Sequence, residues 1–263
     1  GNTLMISPEK LVTEGLIDQA ELEQAPQMPA DRVDFGAVYD WKGGLLQRAY
    51  DKFRSVVGRN EPEAYIAFKK KSAWWLDDYA LYRSAKAEFD SKQWNEWPED
   101  IRFRDSDALA ALSERLADRI EAQRFYQYLF FTQWQELKAY ANAAGIKLIG
   151  DIPIFVAFDS ADVWCNQEKF KLNDDGSPSV VAGVPPDFFS STGQLWGNPV
   201  YDWTAMESDG FAWWIARLQL SLETVDVLRI DHFRGFIGVW EVPGQDETAA
   251  NGQWVDVPGD KLF

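Results

Sequence analysis

One cysteine, Cys165, and one histidine, His232, are all that 263 residues provide of either type. An internal disulfide is therefore excluded, and a zinc site of the usual Cys/His kind lacks its ligands. Positive charge is also scarce: 26 Lys and Arg stand against 42 Asp and Glu, a formal net charge of −16. Such a field repels a phosphate backbone and an anionic membrane surface, which argues against nucleic acid and lipid as partners. Neutral ligands are unaffected. No apolar run reaches the length of a membrane span and no secretory leader is recognisable. With the lone cysteine, this reads as a cytoplasmic, reducing location. Nor does the chain open with Met; Gly1-Asn2-Thr3 reads as an introduced boundary.

What is present is apolar and aromatic material, 46% and 15% of the residues, enough to bury a sizeable core. Residues 8–24 carry Leu11, Val12, Leu16, Ile17 and Leu22 at helical spacing behind a Ser7-Pro8-Glu9 start signal. Helices are predicted over 42–56, 61–71 and 76–89, and a long helical stretch, of one or two helices, over 106–144. Gly145 ends that stretch, and Ile146-Lys147-Leu148-Ile149-Gly150 follows as a short buried strand. The helix-then-strand order recurs with a helix over 211–222 and a strand over 225–231. Between the two units, residues 157–203 read as irregular and rich in Gly, Pro and aromatics, a length of connection that is usually functional. Asn173-Asp174-Asp175-Gly176 reads as a turn instead of a calcium loop. Trp74, Trp75 and Trp134 are assigned to the core.

Candidate chemistry concentrates at Val227-Leu228-Arg229-Ile230-Asp231-His232-Phe233. Alternation along a strand puts Arg229 and Asp231 on one face, where the guanidinium favours the ionised carboxylate. An ionised Asp at a strand's C-terminal end can serve as nucleophile or electrostatic stabiliser; a structural ion pair has the same signature. Gly150-Asp151-Ile152-Pro153 repeats the form, a strand followed by a carboxylate, with an Asx-turn as the alternative. Phe188, Phe189, Gln194, Trp196 and Asn198 lie in the irregular region as aromatics and amides of a loop suited to a sugar, or as core-packing side chains. His232 can reach a substrate if the strand ends before it.

The stretch Arg229-Ile230-Asp231-His232-Phe233-Arg234-Gly235 resembles the fourth-strand motif of the 4-α-glucanotransferases (amylomaltases, disproportionating enzymes) within the α-amylase superfamily. Gly145-Ile146 through Gly150-Asp151-Ile152-Pro153-Ile154-Phe155-Val156-Ala157 resembles the third strand and its loop. Val181-Ala182-Gly183-Val184-Pro185-Pro186-Asp187-Phe188-Phe189 and the stretch 193–199 resemble the loop covering the glucan, with Phe188 where the family often has Tyr. Trp74-Trp75-Leu76-Asp77-Asp78-Tyr79 and Trp94-Asn95-Glu96-Trp97-Pro98 resemble the family's helical insertion.

The resemblance implies an α/β fold, part of a (β/α)8 TIM barrel (strands three and four with their loops) plus a mainly helical inserted subdomain. Residues 1–105 would be the inserted region and 106–263 the partial catalytic barrel. It implies transfer of α-1,4-glucan segments in starch and maltose metabolism, Asp231 as nucleophile, and substrate contacts from Arg229, Asp151, His232, Phe188, Phe189, Gln194, Trp196 and Asn198. Maltooligosaccharides are the implied partners; no metal, organic cofactor or obligate protein partner is required. The family's acid is a Glu after the fifth strand, expected beyond Phe263, so these residues alone are expected to be inactive; Glu241 belongs to a non-catalytic segment. The alternatives are an α-glucan hydrolase and a glucan-binding fragment without activity.

Overall fold

The computed structural model describes residues 1–58 and 60–263. In chain order the helices are α1 (Pro8–Thr13), α2 (Gln19–Glu23), α3 (Phe35–Val57), α4 (Glu63–Glu88), α5 (Glu99–Arg102), α6 (Ser106–Arg115), α7 (Ala117–Ala143), α8 (Ala161–Cys165), α9 (Trp203–Ser208) and α10 (Ala212–Thr224). The strands are β1 (Ile149–Pro153), β2 (Val180–Val184), β3 (Gln194–Pro199), β4 (Val227–Asp231), β5 (Gly238–Pro243) and β6 (Gln253–Asp256). The chain packs as two compact units, Gly1–Ser84 with Ser113–Tyr140, and Ala85–Leu112 with Ala141–Phe263. The cut placed between residues 105 and 106 from the sequence falls inside a segment of the second unit.

The first unit is helical. Ser7 caps α1 by accepting from Lys10 N, with Pro8 in the first turn, as the sequence signal implies. The single helix expected over 8–24 is broken at Gly15, whose φ of +71° ends α1, and α2 restarts behind Asp18. On α3, Leu45, Leu46, Ala49, Tyr50 and Phe53 form one buried stripe at helical spacing. It meets Phe125, Tyr126 and Leu129, also buried. Phe53 stacks on Phe125 at 4.3 Å and meets Tyr65 edge-on at 5.4 Å.

The two helices expected over 61–71 and 76–89 are the single α4, because the intervening residues Ser72, Ala73, Trp74 and Trp75 carry no breaker. Of the tryptophans assigned to the core, Trp75 and Trp134 are half-buried, but Trp74 is 56% exposed. It falls on the outer face of a helix whose inward positions are Ser72, Leu76 and Ala80.

The second unit holds two sheets. β1 and β4 pair in parallel, Ile149 opposite Val227 through Pro153 opposite Asp231, and α10 packs on both. The other four strands form an antiparallel sheet in the order β3-β2-β5-β6. This sheet corrects the irregular reading of residues 157–203. β2 and β3 lie within that span and pair with each other, but the ladder that extends them runs from β2 to β5, remote in sequence, and β3 carries a bulge, so little local periodic signal remains. The aromatic core beneath runs through Phe155, Tyr201, Trp214 and Phe236, with ring centroids 5.8, 5.5 and 4.9 Å apart in succession.

The first strand also begins later than expected. Residues 146–148 are coil, because Asp226 Oδ2 accepts from both Leu148 N and Asn142 Nδ2, closing a turn before the ladder begins. Asn173–Gly176 is the expected turn, closed by Gly176 N donating to Asn173 O. The Cys165 thiol accepts from Arg104 Nη1 at 3.2 Å. Among the described residues no helix is long and apolar enough to cross a membrane.

Candidate active site

The parallel pairing of β1 with β4 sets Asp151 opposite Arg229 and Pro153 opposite Asp231. Paired residues of parallel strands share a face, so Asp151, Arg229 and Asp231 project together. Arg229 forks onto Asp151, with Nε 2.9 Å from Oδ1 and Nη2 on Oδ2. The same Nη2 lies 3.6 Å from Asp231 Oδ1. One guanidinium thus bridges two carboxylates, and the tighter partner is the one across the ladder, not the neighbour two residues along that the sequence suggests. The hydrogen bonds from Arg229 hold the Asp151 carboxyl below the usual carboxylate range. All three side chains are more than half exposed, so the group faces solvent and is open to a ligand.

Asp231 is the last residue of β4, as expected, whereas Asp151 lies in the middle of β1 and does not follow it. The ladder continues for two residues beyond Asp151 because β4 supplies partners as far as Asp231, which rules out the Asx-turn alternative.

His232 follows immediately with φ +52° and ψ 48°. The strand's alternation ends there, and the left-handed backbone turns the imidazole onto Trp196, edge to face at 4.9 Å. Burial lowers the His232 pKa from its ordinary value; Asp231 opposes this and Arg234 adds to it. The ring is therefore neutral at pH 7.

Gln194 and Trp196 sit at alternate positions of β3, which a loop reading does not reveal, but the ladder bulges beyond them at Gly197, φ +74°, so alternation does not carry through to Asn198. Trp196 Nε1 donates to Gln194 Oε1 at 3.2 Å, and the indole also meets Phe155 at 6.3 Å. Asn198 Nδ2 is committed to Val156 O at 2.8 Å, which leaves its side-chain oxygen for other partners. Phe188 and Phe189, 96% and 93% exposed, stand on the tip between β2 and β3 and contact each other at 5.6 Å. Asp187 Oδ1 shapes that tip by accepting from Phe189 N and Ser190 N. Glu241 is 5% exposed and paired with Lys171 Nζ at 2.6 Å within the antiparallel sheet.

The structure therefore gathers Asp151, Arg229 and Asp231 at one point, and His232, Trp196 and Gln194 in a second, linked group. Sequence reasoning missed Phe155, which joins Trp196 to the buried Tyr201. It also missed Arg217, whose signal is a lone cation inside the apolar run Trp213-Trp214-Ile215-Ala216-Arg217-Leu218.

A family model described as 4-alpha-glucanotransferase matches residues 1–263. The 4-alpha-glucanotransferase of Thermus thermophilus is 47% identical over 263 residues, which are 100% of this chain and 52% of that protein. That of Aquifex aeolicus is 46% identical, with the same two shares. Among solved structures, the amylomaltase of Streptococcus agalactiae in complex with acarbose superposes with a TM-score of 0.92 at 38% identity, covering 100% of this chain and 53% of that one. The chain spans about half the length of the curated relatives it matches.

Proposed function

The chain belongs to the 4-alpha-glucanotransferase family, and its fold is part of a (β/α)8 barrel with a helical region; from that premise we propose that the protein carrying it transfers α-1,4-glucan segments between maltooligosaccharides. The observation that carries the reading is an exposed carboxylate at a strand's C-terminal end, Asp231, beside a guanidinium already neutralised by Asp151. The same reading makes residues 1–105 an inserted helical region and 106–263 the catalytic part, and places the protein in the cytoplasm.

In the proposed double displacement, an Asp231 oxygen bonds to the anomeric carbon as the glycosidic C–O bond breaks. The leaving oxygen takes a proton from a general acid. The acceptor sugar's hydroxyl then returns a proton to that residue as its oxygen displaces Asp231, restoring the α configuration. Arg229 orients Asp231 while its charge is shared with Asp151. The β3 face and the Phe188–Phe189 tip supply stacking surfaces and amides for neutral sugar rings, and a sugar-covered site favours an acceptor hydroxyl over water. No step calls for a metal or organic cofactor.

Residues 1–263 taken alone support a second reading, glucan contact without transfer. Asp151 is held ionised by Arg229 and Glu241 is engaged by Lys171, so neither is placed to give up a proton to a leaving group. The test is maltotriose disproportionation by the full-length protein, with products resolved by chain length. Redistribution into longer and shorter chains supports transfer; glucose and maltose without longer products would make the protein a hydrolase instead.

A further inference from the structure

The C-terminal end of β1 is held by side chains from three other segments. Arg217 Nη2 donates to Pro153 O at 2.7 Å and Nη1 to Ile154 O at 3.2 Å. Ile154 O also accepts from Tyr201 Oη at 2.6 Å, and Val156 O accepts from Asn198 Nδ2 at 2.8 Å. Tyr201 is fully buried.

The Arg217 guanidinium lies 4.8 Å from the centre of the Trp214 ring and 5.4 Å from that of Trp213. Burial lowers its pKa below the ordinary arginine value, with Tyr201 and Asp162 opposing, yet the group stays charged. A charge set among aromatics is costly unless its donors are used. Here they go to the carbonyls of residues 153 and 154, where the ladder stops: Pro153 is opposite Asp231, the last residue of β4.

We propose that Arg217 is a positioning residue for the transfer reaction: by fixing the Pro153 and Ile154 carbonyls it holds the end of β1 in the place that seats Asp151 in the fork of Arg229, and Arg229 beside Asp231. The inference rests on the reading of Asp231 as nucleophile. Pro153 stands two residues from Asp151 on the same face and directly opposite Asp231, so a displaced Pro153 peptide moves both ends of the bridge. Lysine cannot replace the fork, since it offers a point charge in place of two parallel donors.

The test uses the full-length protein that contains residues 1–263, comparing wild type with Arg217→Gln, Arg217→Lys and, as a control on the exposed side of α10, Gln219→Ala. The readouts are kcat and KM for maltotriose, the acid limb of the kcat profile, and the melting temperature. Arg217→Gln is expected to lower kcat about 10²-fold, the effect of a roughly 1 Å misplacement, with KM within about threefold. Its acid limb shifts to higher pH, because Asp151 loosened from Arg229 titrates nearer the ordinary carboxylate range. Arg217→Lys falls in between, and Gln219→Ala matches wild type.

If Arg217→Gln fails to fold, Arg217→Lys is judged by the same criteria. A lower melting temperature with kcat and acid limb unmoved in the folded variant overturns the proposal and leaves Arg217 a purely structural residue. A wild-type protein without transfer activity would remove the functional reading, and the positioning role with it; an active wild type with an equally active folded variant removes the positioning role alone.

Discussion

Two glycines of the β2–β3 hairpin separate the effect of backbone strain from that of close contact. Gly193 has φ +70° and Gly197 φ +74°, so alanine at either position is forced into the left-handed region. That costs about 1–2 kcal/mol, offset by about 0.4–1 kcal/mol from the stiffer unfolded chain. The surroundings differ. A Cβ on Gly197 meets nothing within 4 Å, whereas one on Gly193 would sit 2.3 Å from Val184 O and 3.0 Å from Ala249 Cβ. Both neighbours are fixed, since Ala249 N donates to Thr192 O and Ala249 is fully buried. Relieving that overlap adds about 1–3 kcal/mol, the usual range for overpacking. Gly193→Ala should therefore destabilise by about 2–4 kcal/mol and Gly197→Ala by about 1 kcal/mol or less. Urea unfolding of residues 1–263, followed by tryptophan fluorescence, measures both. Because Gly193 closes the tip bearing Phe188 and Phe189, its alanine variant should also weaken glucan affinity in the full-length protein. Equal stability losses for the two variants would refute the reasoning.

Asp231→Asn in the full-length protein should abolish maltotriose disproportionation, a loss of at least about 10⁴-fold, while longer glucans still bind and the melting temperature holds; retained transfer rejects Asp231 as nucleophile. Residues 1–263 alone should give no transfer at any concentration, and any redistribution of maltotriose would make Glu241 the first candidate acid, despite its pairing with Lys171. The single histidine gives an unambiguous NMR titration. His232 should titrate below the ordinary imidazole value, so the stability it contributes is present above that value and is lost as pH falls through its folded pKa. Trp196→Ala, by uncovering the ring, should move the midpoint upward; an unmoved midpoint contradicts the stacking geometry.

Legibility in the sequence followed how local each signal was. The end of β4 at Asp231 was readable because Leu228-Arg229-Ile230-Asp231 alternates apolar and polar; the left-handed His232 that stops the strand shows only in the structure. The start of β1 was not, since Ile146 and Leu148 are as apolar as any strand residue, while Ile146 is held by the end of α7 through Ala141 O and Asn142 Nδ2 and Leu148 N by the remote Asp226. The fork of Arg229 onto Asp151 depends on a register between segments 78 residues apart, so the sequence offered the in-strand neighbour instead. The antiparallel sheet was hidden for the same reason: β2 pairs with β5, a strand remote from it in sequence. Trp74 was misplaced because tryptophan is usually buried on average, while its outward position on α4 depends on which face the helix turns inward.

The central claim is that Asp231 forms the covalent bond to the sugar. A 5-fluoro-α-glucosyl fluoride slows both steps of a double displacement, and its excellent leaving group allows the first step to outrun the second, so the glycosyl-enzyme accumulates. Full-length protein treated with this reagent, digested and mapped by mass spectrometry, should carry the fluoroglucosyl group on the peptide containing Arg229-Ile230-Asp231-His232, with fragmentation placing it at Asp231. A label on Asp151, Glu241 or any other carboxylate, or reagent turnover with no adduct at Asp231, would contradict the account.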